Sequence, residues 1–368
     1  MLSAAPLVPV HRTRRIAFVF SVAAAAQIGC NALLDIDGIA FSDTSGGGAV
    51  STGGQDAGGG GAGDGGTVSS GGAAGHGGTA AGGAGAQGGG GGGGSICVLG
   101  PFGPPVLIDG VNSSSGEDDP SISPDERTIY FDSGRAGTLG GSDIWYASRG
   151  SGSGPFGTPQ NLGTVNSAFD EEDVEIAADG LTVYFASDRT GGLGNLDLWY
   201  ATRTSTGQSF GAPQNLVELS TSSLDRDPAA SADGLALFFA SSRPGGSGGN
   251  DIWVATRPNA TAPFGTPVNV SEVNSSSGDD NPAISSDGLE LYFTSGRPGG
   301  SGSYDLWVAR RSAVTLPFDP PENLNVLNTT ALDADPTISG DGLALYFAST
   351  RTGGIGGADI YVATRSCL

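Results

Sequence analysis

The chain of 368 residues carries 38 acidic side chains against 16 basic ones, a net charge of −22, and 66 glycines; every basic residue is arginine. An acidic chain without a basic cluster excludes nucleic-acid binding, which needs grouped Lys or Arg to neutralise phosphate. His11 and His76 are the only histidines, which rules out His-based acid–base or triad chemistry in the remainder, and with three cysteines they cannot build a zinc-finger set.

Residues 11–15 are basic, and residues 16–29 form an uncharged apolar run too short to cross a membrane comfortably. That order is the n-region and h-region of a secretory signal. The run ends at Gly29-Cys30 and resembles a bacterial lipoprotein signal, in which a small residue precedes the cysteine that becomes lipidated. The resemblance implies a signal peptide over 1–29, a lipid anchor at Cys30, a mature N-terminus over 30–45 and an outer-membrane lipoprotein. Gln27 stands where such signals usually have leucine, and ordinary cleavage after Ala26 is the alternative, giving a secreted protein.

Residues 46–95 hold 27 of the 66 glycines and almost no large apolar residue. Such a segment cannot bury enough surface to offset its ordering entropy, so a flexible linker with a span on the order of 40 Å is expected. GxGxxG patterns arise there by composition and carry no nucleotide-site reading, because no predicted strand precedes them.

From residue 98 onward a unit of 54 residues repeats five times. Trp145, Trp199, Trp253, Trp307 and Tyr361 share one position; Phe102, Phe156, Phe210, Phe264 and Phe318 share another. Both series are read as packing residues. Arg135, Arg189, Arg243, Arg297 and Arg351 form a third series, and Asp143, Asp197, Asp251, Asp305 and Asp359 a fourth. The last two flank one glycine-rich loop, so an Arg–Asp pair bracing that loop is expected, against the alternative of a ring of ligand-facing arginines. In the fourth copy four strands are predicted: Pro267–Val270, Asn281–Ser285, Leu289–Ser295 and Asp305–Arg310. Asp287-Gly288 and its equivalents signal type I′ hairpins, and Asp125-Glu126 in the first copy signals a different turn.

Four short strands per repeat are the signature of propeller blades. The run from Ser285 to Ala309, S-x-D-G-x-x-L-Y-F-x-S-x-R-x-G-G followed by D-[IL]-W-x-A, resembles the WD-like repeats of TolB-type β-propellers. The resemblance implies an all-β propeller; such propellers commonly have six blades, whereas the five repeats here give a five-bladed propeller over 96–368, and activity is left open because propellers host many functions. The first copy begins with an outermost strand, Pro105–Ile108, and the fifth ends after its third. The N-terminal strand must therefore complete the last blade. Cys97 and Cys367 lie 270 residues apart, five whole repeats, and a disulfide between them is expected in an oxidising compartment. Gly245–Gly249 matches a nucleophile-elbow pattern, but it sits in the repeated glycine loop with no histidine to activate Ser247.

The loop entering the second, innermost strand is acidic in every copy: Glu117-Asp118-Asp119, Glu171-Glu172-Asp173, Asp225-Arg226-Asp227, Asp279-Asp280-Asn281 and Asp333-Ala334-Asp335. These carboxylates should converge at one channel mouth. Oxygen-only ligands suit Ca²⁺, whereas Asp in such loops also caps turns through backbone N–H groups. Arg226 departs from its series, and so does Glu175, which stands where other copies have Ser121, Ala229, Ala283 and Thr337. Glu172, Asp173 and Glu175 sketch a carboxylate-based carbohydrate-active hydrolase as an alternative. No blade carries a distinct catalytic pair. A monomeric, non-catalytic binding module for an envelope protein or polysaccharide is expected, touching the membrane only through its lipid.

Overall fold

The computed structural model describes residues 98–150 and 154–368. The signal, the lipidation site Cys30, the glycine-rich linker and Cys97 lie outside the described residues.

Five four-stranded antiparallel sheets are arranged as blades. Blade one comprises Glu117–Ile122, Thr128–Ser133, Asp143–Ser148 and the short outer strand Gln160–Asn161. Blade two repeats this with Glu171–Ile176, Thr182–Ser187, Asp197–Thr202 and Gln214–Asn215. Blade three has Asp225–Ala230, Ala236–Ser241, Asp251–Thr256 and Val268–Asn269. Blade four has Asp279–Ile284, Glu290–Ser295, Asp305–Arg310 and Glu322–Asn323. Blade five has Asp333–Ile338, Ala344–Ser349 and Asp359–Thr364, and takes Val106–Leu107 from the N-terminal side as its outer strand. The predicted closure is thus present: Val106 pairs with Val362 and Leu107 with Tyr361.

Each blade buries its hydrophobic faces against its neighbours. Tyr130 and Ile144 of blade one share a core with Val174, Val183 and Phe185 of blade two, and Ile129 and Phe131 pack with Tyr346 and Ile360 of blade five. No blade could bury these faces alone, which is why repetition and closure go together. A second arginine series, unnoticed in the sequence, seals the blade joints. Arg149, Arg203, Arg257, Arg311 and Arg365 lie 4.3–4.5 Å from the rings of Phe156, Phe210, Phe264, Phe318 and Phe102. The last of these pairs spans the closure seam.

Two local expectations are corrected. The Asp-Gly hairpins are not type I′, because only the glycine has positive φ, +71° at Gly288. The Gly288 N–H donates to Ser285 O at 2.8 Å, while the Asp287 carboxylate accepts from Ser285 Oγ and the Leu289 N–H. Asp is selected there as a side-chain acceptor rather than for its backbone. Blade one uses the same turn: the Glu126 N–H donates to Ser123 O at 2.8 Å, with Glu126 itself at φ +56° where the others have glycine.

Candidate functional site: the acidic mouth of the channel

The inner strands begin two residues earlier than the sequence suggests, so the acidic triplets are strand residues rather than loop. Each inner strand shifts register after its second residue, between Asp118 and Ser121 in blade one and at the equivalent places in the others. The third residue of every triplet sits inside this bulge with left-handed backbone: φ is +49° at Asp119, +57° at Asp173, +53° at Asp227, +50° at Asn281 and +56° at Asp335. Asp and Asn tolerate that conformation better than other non-glycine residues, so backbone geometry accounts for the residue type. A bulge also re-aims a side chain. Here it divides each triplet into three fates.

First-position carboxylates are consumed inside their own blades. Glu117, Glu171, Asp225, Asp279 and Asp333 are fully buried. Arg135 reaches Glu117 at 2.9 Å and Arg189 reaches Glu171 at 2.8 Å; Arg243, Arg297 and Arg351 pair with Asp225, Asp279 and Asp333 in the same way. The expected pairing of these arginines with the Asp143 series is therefore wrong, as is their ligand-facing alternative. Each arginine follows two residues after a serine whose strand partner is the acidic residue. Its guanidinium folds back over Phe131 and Trp145 in blade one, which aims it inward. Asp143 and its equivalents brace the glycine loop alone: Asp197 accepts the Leu193 and Gly194 N–H groups at 2.8 and 3.0 Å. A Cβ on Gly192 would stand 2.0 Å from that carboxylate, which explains the glycine. Turn capping, the competing reading for the acidic triplets, holds at the first position, where Glu117 accepts the Ser113 N–H at 2.7 Å. These five residues leave the list of cation ligands.

Third-position residues form a ring around the channel. The Asp227 N–H donates to Asp173 Oδ2 at 3.3 Å, and the Asn281 N–H to Asp227 Oδ2 at 3.1 Å, linking neighbouring blades. Asn281 Nδ2 reaches both Asp227 Oδ1 at 3.0 Å and, across the channel, Asp119 Oδ1 at 3.1 Å. Arg226, the one basic residue among the middle positions, donates to Asp173 at 3.0 Å and Asp227 at 3.1 Å. Burial opposes its charge, but the two aspartates hold it firmly protonated.

The remaining acids are crowded. Burial, then repulsion from Glu117, pushes Asp118 up to about 6. Burial, then Asp227, does the same to Asp280, also to about 6. Asp227 rises to about 7 through burial despite Arg226. Asp119 and Asp335 are driven well above the usual range by burial and by one another or their neighbours. Glu172 is raised by burial. Asp132 joins this group and went unnoticed in the sequence. It lies opposite Asp118 across the strand pair, is 6% exposed and is raised by burial and by Asp118. Its signal was available: the equivalent positions hold Ala186, Ala240, Thr294 and Ala348.

Glu175 lies farther along the channel wall, away from the aspartate ring. Ser121 Oγ donates to it at 2.8 Å, and burial lifts its carboxyl to about 7. The channel cavity lined by the ring and Glu175 has a volume of 120 Å³. That is below the roughly 300 Å³ at which small-molecule pockets begin, so the channel suits waters or an ion. A larger cleft of 560 Å³ between blades one and two opens at the hairpin-turn end, lined by Tyr130, Tyr146 and Arg203.

The face around the acidic mouth is not symmetric. The glycine-loop tips carry Leu139, Leu193 and Ile355, which are 62%, 60% and 59% exposed, in three consecutive blades of the ring. The other two tips carry Ser247 and Ser301. Phe169 lies beside the first tip, its backbone carbonyl against Gly140.

No family model and no curated protein matches the chain. Among solved structures it is similar to TolB from Acinetobacter baumannii, at 18% identity and a TM-score of 0.43 over 69% of this chain and 55% of that one. The chain thus spans about half the length of that protein. A putative TolB from Agrobacterium tumefaciens gives 17% identity and a TM-score of 0.42 over 69% and 91% of the two chains. An alpha-L-arabinofuranosidase from Lactobacillus brevis gives 14% identity and a TM-score of 0.43 over 68% and 90%. Likeness at this level concerns fold alone. With its five four-stranded blades and circular closure, the chain is a five-bladed β-propeller.

Proposed function

We propose that the propeller is a non-catalytic binding module that engages a protein or polysaccharide at its acidic mouth. The observation that carries this reading is the arc of Ile355, Leu139 and Leu193 on otherwise equivalent loops, beside a carboxylate rim. Large exposed apolar side chains grouped on one face mark interaction surfaces, and their contiguity with acids favours a protein partner with apolar and basic groups. Within the same reading, Cys30 carries a lipid and residues 46–95 hold the propeller away from a bacterial envelope membrane. A Cys97–Cys367 disulfide locks the seam, where Leu99 bridges to Cys367 and the Leu368 N–H donates to Val98 O at 2.9 Å.

The test replaces the three apolar tips by the serine of the other two loops. Wild type should retain an envelope component in pull-down at low salt and lose it at high salt, while Leu139→Ser/Leu193→Ser/Ile355→Ser should lose it at both. Equal retention by wild type and variant overturns the reading.

One observation favours the hydrolase alternative. Glu175, its carboxyl lifted by burial to about 7, keeps a share of its proton at neutral pH, as a general acid must. Against it, the channel cavity beside Glu175 has a volume of 120 Å³, too small to admit a sugar ring and its neighbour. Glycan hydrolysis by wild type that disappears in Glu175→Gln would establish the alternative.

A further inference from the structure

We propose that the acidic mouth is a binding site for a hard divalent cation of the Ca²⁺ class, held by Asp119, Asp173 and Asp227, with the buried Asp132 as a positioning carboxylate against Asp119. The inference goes beyond the binding-module reading and does not depend on it, because ion binding is measured on the purified chain alone.

Geometry supplies the first argument. Oxygens about 2.4 Å from a common Ca²⁺ can be no more than about 4.8 Å apart. One carboxylate oxygen from each of Asp119, Asp173 and Asp227 meets that limit. All ligands on offer are oxygens, the donor set of Ca²⁺ rather than of zinc or copper.

Asp132 supplies the second, independent argument. Its Oδ2 accepts from Ser142 Oγ at 2.9 Å. Its Oδ1 is buried and has no donor among the described residues. The Asp132 carboxyl meets the Asp119 carboxyl, and the charges of Asp118, Glu172 and Asp173 act on it as well. A buried carboxylate oxygen turned on another carboxyl requires a proton or a metal ion between them. The repeat shows that this is no requirement of the fold. The equivalent Thr294 donates its hydroxyl to nothing in this ring but accepts the Asp335 N–H of the next blade at 3.0 Å. Three blades have only a methyl there, at Ala186, Ala240 and Ala348. Blade one therefore carries an extra acid beside Asp119.

The charge balance agrees. Arg226 is bonded to Asp173 and Asp227, and neither Asp119 nor Asp132 has a cationic partner among the described ion pairs. A carboxylate offers about four lone-pair sites, so Asp173 and Asp227 can keep Arg226 and still face an ion.

The experiment titrates the full-length, chelator-stripped protein with CaCl₂ at pH 7.5 by calorimetry and by thermal unfolding. Saturable binding of one Ca²⁺ and a Tm that rises with Ca²⁺ are expected. Asp132→Ala, the residue of three other blades, should weaken Ca²⁺ by about tenfold or more. Asp125→Asn, in a hairpin turn, should bind like wild type. Should Asp132→Ala fail to fold by circular dichroism, Asp132→Thr, the residue of blade four, takes its place with the same expectation. Absence of heat and of a Tm shift in wild type at millimolar Ca²⁺ overturns the proposal. Unchanged affinity in the Asp132 variant, or Mg²⁺ binding as tight as Ca²⁺, overturns it as well.

Discussion

In the blade interiors, Glu117, Glu171, Asp225, Asp279 and Asp333 each have a private arginine and a capped turn. Two residues along the same strands, Asp119, Asp173, Asp227 and Asp335 have Arg226 as the one arginine paired into their ring. Both sets are carboxylates fixed by the repeat, the first fully buried and the second buried or half-buried. One is neutralised blade by blade and belongs to the scaffold; the other is left short of positive charge and is made asymmetric by Arg226, Asn281 and Asp132. Repetition builds the framework here, and departures from repetition build the site.

The largest expected effect comes from breaking a private pair. Arg297→Ala leaves Asp279 fully buried without its cation and should cost about 3–5 kcal/mol in chemical denaturation. Arg226→Ala, which places the Ala334 side chain of blade five in blade three, should cost less, about 2 kcal/mol at pH 8. At pH 5 the cost should shrink, because the neighbouring acids can take up protons instead. Equal losses for the two variants at both pH values would erase the distinction between the rings.

The pH dependence sharpens the same contrast. Asp118 and Asp280 near 6, and Asp227 and Glu175 near 7, have folded-state values above those of the unfolded chain. Folded protein then holds more protons than unfolded protein between about pH 4 and 7, and stability declines as pH rises through that window. Tm should therefore be lower at pH 8 than at pH 5. Glu175→Gln, which removes one titrating group, should flatten the profile. A Tm that climbs steadily from pH 5 to pH 8 would refute the assignment. The smallest effect concerns blade one alone. Glu126→Gly relieves a left-handed glutamate where the other four turns use glycine, and should stabilise by up to about 1 kcal/mol in the same assay.

Much of the fold was legible because the 54-residue period supplies an internal alignment. The strands, the core aromatics and the borrowed strand Val106–Leu107 follow from it. The partner of Arg135 was not legible. Arg135 and Asp143 flank one loop in sequence, yet the guanidinium turns onto Glu117 because Ser133 is paired with Glu117 across the sheet. Cross-strand register outweighs proximity along the chain. The bulge was also hidden: nothing in Glu117-Asp118-Asp119 says that the first carboxylate points into the blade and the third toward the channel. Asp132 could have been found, since it breaks a column of small residues, but it lies outside the acidic triplet that drew the eye.

The borrowed strand has a mechanical consequence. Any pull transmitted from upstream of residue 98 meets first the Leu99–Cys367 bridge and three backbone hydrogen bonds of 2.8–2.9 Å, from Leu368 N–H to Val98 O, Gly100 N–H to Ser366 O and Gly103 N–H to Thr364 O. Behind them lie the stacking of Phe102 beneath Arg365 at 4.5 Å and the two pairs of the borrowed strand, Val106 with Val362 and Leu107 with Tyr361. All of these contacts belong to the closing seam, so a pull on the N-terminal side loads blade five before the other four joints.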